Sequence, residues 1–303
     1  MKFLILLMLL TPLASFAADP ESPREPYFDS VVVLSRSTRT VTLYNAFFEN
    51  NTSRVLRAYP AGSVPTSVAK YDAETILVTV DGAPDRVDRI NLRTGQTESG
   101  FLFDQALTGA LKGITRLSGG DVLVSDAAAG AHLERFAIPN GSAPWRYTVA
   151  WPITLLAGLQ MMSPLPQNRF LACAGSTGDQ LGIYNGAGQL LAKATALTPA
   201  PSLGSAHDVN GCLADDHGLV AAAFKGTASA LRLYTADLSA TLWTFRDASL
   251  LSSPSALAVR FNGNWLVADA ATNLILEIND AGERVALFQP MLGAEVTALL
   301  VLR

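Results

Sequence analysis

The sequence predicts an all-β protein, a six-bladed β-propeller with four antiparallel strands per blade. Three observations predict it. Apolar runs of strand length recur along the chain at a period of about 47 residues, and each is followed by two more strand-like runs. The repeats fill the chain from residue 29 onward. The first repeat lacks a leading strand, while a strand-like segment is left over at the C-terminus. An isolated four-stranded sheet cannot bury both faces, so repeats of this kind must stack, and closing the stack into a ring removes the exposed edges.

Residues 1–17 come before this pattern. Lys2 precedes an apolar run too short to span a bilayer, and Ser15 and Ala17 satisfy a small-x-small cleavage rule, so a secretory leader cut after Ala17 is expected. Export to a secreted or periplasmic location follows from it. Residues 18–28 mix three prolines with charges and read as an extended lead-in, leaving 29–303 as a single propeller domain.

The second strands are aligned on VVVLS (31–35), ILVTVD (76–81), DVLVSD (121–126), FLACAG (170–175), LVAAAF (219–224) and WLVADA (265–270). Their near-continuous apolar character fits strands covered on both faces. Val32, Val78, Leu123, Leu171, Val220 and Leu266 are taken as equivalent. Third strands follow at VTLYN (41–45), VDRIN (87–91), LERFA (133–137), LGIYN (181–185), LRLYT (231–235) and LILEI (274–278), and fourth strands run from RVLRAY (54–59) to RVALF (284–288). The clearest repeat is the sixth, where Asn262-Gly263-Asn264 turns one apolar run into the next. The unattached segment 295–302 is expected to complete the first blade and close the ring.

Composition narrows the function. The chain carries 22 basic and 26 acidic residues, with no Lys/Arg cluster, so a nucleic-acid partner has no electrostatic basis. No later apolar stretch is long enough for a membrane span. A monomer is expected. Charged residues make up only 16% and apolar ones 49%, as suits extensive sheet-on-sheet burial.

In a propeller the starts of the first strands surround one mouth of the central channel. Thr66, Lys112, Gln160, Asn210, Ser255 and Ala294 align there, with His207 and Asp208 just ahead of Asn210. Lys112, Gln160, His207, Asp208 and Asn210 are therefore the candidate ligand-binding residues, for a small molecule or a peptide loop. Asp81, Asp126 and Asp269 recur at the ends of second strands and are read as turn residues that accept backbone N–H bonds. Cys173 and Cys212 fall on adjoining blades. In an oxidising compartment they could form a cross-blade disulfide, but packed sheets lie about 10 Å apart, farther than a disulfide spans, which favours two buried thiols there.

The phrase NGCLADDHGLV (210–220) resembles the signature of the SMP-30/gluconolactonase family, with a degraded copy in Lys112-Gly113-Ile114, Gly119-Gly120 and LVSD (123–126). The phrase GNWLVADAATNLI (263–275) is similar to NHL repeats. The first resemblance implies a divalent metal, usually calcium, held in the channel by a Glu, an Asn and an Asp, and lactone hydrolysis by it. Asn210 matches the family's Asn, and Glu295 and Asp208 stand for the Glu and the Asp. The pattern departs from the family in three ways. Asp208 shares a blade with Asn210, whereas the family's ligands come from different blades. The glutamate lies on the last strand instead of the first, and Lys112 sits where another oxygen ligand would help. Two readings stand: a binding or scaffold propeller using its channel mouth, and a lactonase-like metal hydrolase.

Overall fold

The computed structural model describes residues 29–49, 52–102, 110–126, 132–137, 146–152, 159–174, 180–194, 207–226, 229–289 and 295–302. The predicted leader, the lead-in and Ala294 lie outside the described residues. Blade one begins with Val31–Ser35 (β1), Thr40–Tyr44 (β2) and Arg54–Ala58 (β3). Blade two holds Val64–Lys70 (β4), Thr75–Asp81 (β5), Arg86–Asn91 (β6) and Thr97–Leu102 (β7), and blade three Leu111–Arg116 (β8), Val122–Asp126 (β9), His132–Ala137 (β10) and Arg146–Pro152 (β11). Blade four comprises Leu159–Leu165 (β12), Arg169–Ala174 (β13), Gln180–Asn185 (β14) and Leu190–Lys193 (β15). Blade five comprises His207–Ala214 (β16), Val220–Gly226 (β17), Ala230–Tyr234 (β18) and Thr241–Phe245 (β19). Blade six comprises Pro254–Val259 (β20), Trp265–Asp269 (β21), Leu274–Ile278 (β22) and Arg284–Phe288 (β23), and Val296–Val301 (β24) ends the chain.

Each blade is a four-stranded antiparallel sheet in sequence order, except that blade one reads β24-β1-β2-β3. The C-terminal strand pairs with β1 from Val31–Val301 to Ser35–Val296 and so closes the ring, as the unmatched ends of the sequence require. The second strand of each blade is buried on both faces, and its alternate residues serve two neighbours. Ile76, Val78 and Val80 pack against blade one, while Leu77 packs against blade three. Every gap between adjacent blades holds its own apolar cluster, including the gap where chain ends meet, where Val31 and Val33 pack on Ala256, Leu266 and Ala268. The fourth strands carry the exposed residues Val55, Leu242 and Val285 at the rim.

Two staples reinforce the ring at opposite ends. Arg260, at the end of β20, is 5% exposed and pairs with Glu277 at 3.0 Å and with Asp29 at 3.2 Å. It also donates to the Ala46 carbonyl and lies against the rings of Phe48 and Phe288. Asp29 and Ala46 belong to the start of the chain, so this guanidinium ties blade six to blade one. The second staple corrects the expectation of two thiols. Cys173 and Cys212 form a disulfide with their Cα atoms 6.0 Å apart. The 10 Å spacing holds for sheets kept apart by ordinary side chains. Here Cys173 and Cys212 lie on the two innermost strands of blades four and five and face the same gap beside Ala222, on the narrow axial side of the wedge where neighbouring blades stand closest.

Candidate functional site at the channel mouth

Every blade breaks its innermost ladder at one place. Pairing passes from Pro65–Val80 to Ser67–Thr79 and skips Thr66, and likewise skips Gln160, Asn210 and Ser255 in blades four, five and six. In blade three Lys112 and Gly113 together oppose Ser125, whose Oγ accepts the Gly113 N–H at 2.6 Å. In blade one the register skips Thr297. These are β-bulges, each adding one residue to the first strand and turning it out of the ladder. The skipped residues are those that sequence alignment places at the mouth, with one correction: the blade-one member is Thr297, not Ala294.

The bulge side chains meet. Thr66, Lys112, Asn210, Ser255 and Thr297 line one cavity of about 220 Å³. Neighbouring positions complete its wall: Val64, Ser253 and Glu295 from two residues before the bulge, and Arg36, Lys225 and Ala270 from second strands or just beyond them. The cavity thus receives side chains from blades one, two, three, five and six, and Met161 from blade four. The side chains of Gln160, His207 and Asp208 lie outside the described residues. The backbone of Asp208 stands across the strand pair from Lys225, as Glu295 stands beside Arg36.

Three of the bulge side chains form a belt from blade to blade. Asn210 Nδ2 donates to the Pro254 carbonyl at 3.3 Å, Ser255 Oγ to the Val296 carbonyl at 2.6 Å, and Thr297 Oγ1 to the Pro65 carbonyl at 3.4 Å. Each acceptor is the residue just ahead of the next bulge. Thr66 instead turns inward to Thr79 Oγ1 at 2.8 Å. Lys112, half-buried, is the one cation among the described bulge residues and forms no ion pair with a described residue.

The register also refines the repeat. With the bulges superposed, Val33, Val78, Val124, Ala172, Ala222 and Val267 are equivalent, so the alignment from sequence slides by one or two residues in every blade except the second. A one-residue slip exchanges the faces of a strand. Asp126 and Asp269 therefore share a position, whereas Asp81 shares one with Lys225, Arg36 and Ala270. Sequence reasoning missed Arg36 and Lys225 for this reason. Asp269 does serve turns: its carboxylate accepts the backbone N–H groups of Ser252, Ser253, Ala271 and Thr272. Farther from the axis on this end, burial raises the Asp85 carboxyl pKa above its ordinary value. The Asp81 and Asp126 carboxylates push it the same way, against the Gly82 N–H bond.

These residues do not fit the metal site that the family resemblance implies. Among the described lining residues Glu295 is the only carboxylate, and Arg36, Lys112 and Lys225 face the same space. Hard cations need several oxygen ligands. Among the described residues no three His, Cys, Asp or Glu side chains cluster. Nor, among them, is any helix long and apolar enough to cross a membrane.

No family model matches the chain, and no curated protein matches it. Solved structures do. The chain is similar to one chain of a nidogen/laminin complex, at 14% identity over 90% of this chain and 98% of that one, with a TM-score of 0.71. It is also similar to a protein of unknown function from Bacteroides caccae, at 12% identity over 90% and 98% of the two chains, with a TM-score of 0.62. At such identities the likeness carries the six-bladed fold alone.

Proposed function

We propose that this protein is an exported binding protein that takes a small molecule, or the tip of a partner's loop, at the bulged mouth of its channel. One observation carries the reading: bulge side chains from five blades turn out of their ladders into a single polar cavity. A site assembled from separate blades costs little to preorganise, because the ring already holds them. The disulfide supports export, since such bonds persist in oxidising compartments. The presence of a similar propeller in a complex of two proteins supports a loop as one form of ligand.

The test plugs the mouth without breaking it. Ala270 occupies the position at which blades one and five carry Arg36 and Lys225, so Ala270→Trp should fold and fill the cavity. A library of small acids, amines and neutral polar molecules would be screened by ligand-observed NMR against both proteins. Binders of the native protein should be lost with Ala270→Trp. If all of them persist, the mouth is not the site.

A further inference from the structure

The mouth is electrically unlike the rest of the molecule. The chain as a whole carries a formal charge of −4. Among the described residues lining the cavity, Arg36, Lys112 and Lys225 outnumber Glu295, and counting Asp208 beside Lys225 would still leave the set positive. The other described carboxylates near this end, Asp81, Asp85, Asp126 and Asp269, lie outside the lining.

Position distinguishes these cations. Arg36 and Lys225 are exposed and each stands across from an acidic residue, so they make a rim. Lys112 is half-buried at a bulge where the other five blades carry only Thr, Asn, Ser or Gln. No described residue offers it a counter-ion. Desolvating an ammonium without a partner costs free energy. A bound anion would offset that cost, and in a half-enclosed cavity it would be screened less than on an open surface.

From this geometry we infer that the mouth is a carboxylate receptor, with Lys112 as the seat of the anionic group and Lys225 and Arg36 as a steering rim. The inference rests on the reading of the mouth as the binding site. The carboxylate belongs to a free organic acid or to an Asp or Glu side chain on a partner's loop, and the chemistry recognised is the same in both.

Isothermal titration of the full-length protein would use citrate for the first source and a capped Gly-Asp-Glu-Asp-Gly peptide for the second. The Asn/Gln form of that peptide and a Lys-containing one serve as controls. At least one acidic probe should bind, more weakly as salt rises, and the controls should not. Lys112→Met should weaken binding about tenfold or more, as expected for loss of a charge-assisted hydrogen bond. Glu295→Gln should tighten it, and the probe that binds identifies the source. The inference is overturned if neither acidic probe binds, if the controls bind equally well, or if Lys112→Met leaves affinity unchanged in a protein that melts like the native one. Ala270→Trp separates the two levels. Binders lost with Ala270→Trp but indifferent to Lys112→Met sink the carboxylate and leave the mouth standing; acidic probes that still bind Ala270→Trp sink the mouth itself.

Discussion

The two ends of the central channel are built from the same six strands and differ in kind. At the mouth each strand carries a bulge, and the lining is mostly Thr, Ser, Asn, Lys, Arg and Glu, with Val64, Met161, Ala270 and Ala298 among them. At the far end the ladders run regularly and the opening, about 430 Å³, is walled by Pro164, Leu213, Leu257, Val259 and Leu300, with Arg116, Asp215 and Asp216 among its charged members. A regular strand sends alternate residues into the gaps between blades, which are apolar here because they form the core. A bulge breaks that alternation and frees one residue per blade for a different task. The polar chemistry therefore gathers where pairing fails, and the far end remains an extension of the core.

Each end also carries one staple, and breaking them tests how far the ends are independent. The largest effect is expected at the far end. Arg260→Met removes a buried guanidinium shared by Glu277 and Asp29 and leaves those carboxylates without it, which should lower stability by about 3–5 kcal/mol in denaturant titration. A loss below about 1 kcal/mol would show that the chain ends are held by β24 pairing and apolar packing alone. At the mouth end, Cys173→Ser with Cys212→Ser opens a link spanning 39 residues. Loop closure sets that link at about 4 kcal/mol, and measured losses typically fall at 2–4 kcal/mol. Reduction of the native protein should lower its melting temperature similarly, and an unchanged melting curve would deny the staple its role. The smallest effect belongs to the belt. Ser255→Ala deletes one hydrogen bond between neighbouring blades and should cost about 1 kcal/mol. It should also loosen the mouth more than the far end, read as faster amide exchange at Val296 and Thr297 than at Val259. Equal exchange at both ends would erase the distinction drawn between them.

Much of this was legible in the sequence. The period, the buried second strands and the unmatched terminal strand specify six blades and their closure, because an apolar run flanked by turns has few ways to bury itself. Asn262-Gly263-Asn264 announces its hairpin, and Gly263 has the positive φ of 86° that the turn requires. The mouth positions of Thr66, Lys112, Asn210 and Ser255 were also readable, since each lies near the start of a first strand. What failed was register. Asp81 and Asp126 look alike in sequence yet stand one residue apart in the sheet, because a bulge leaves no compositional mark.

The sequence by itself therefore determined the architecture, the order of the blades and the approximate ring of candidate residues, all of which follow from periodic burial along the chain. Only the tertiary structure decided that Cys173 meets Cys212, that Thr297 rather than Ala294 completes the ring, and that Arg36 and Lys225 join Lys112 around one cavity. Those facts depend on spacing between sheets and on single-residue register. The first is a property of pairs of blades and the second of strand pairing within a blade, and no one strand's sequence contains either.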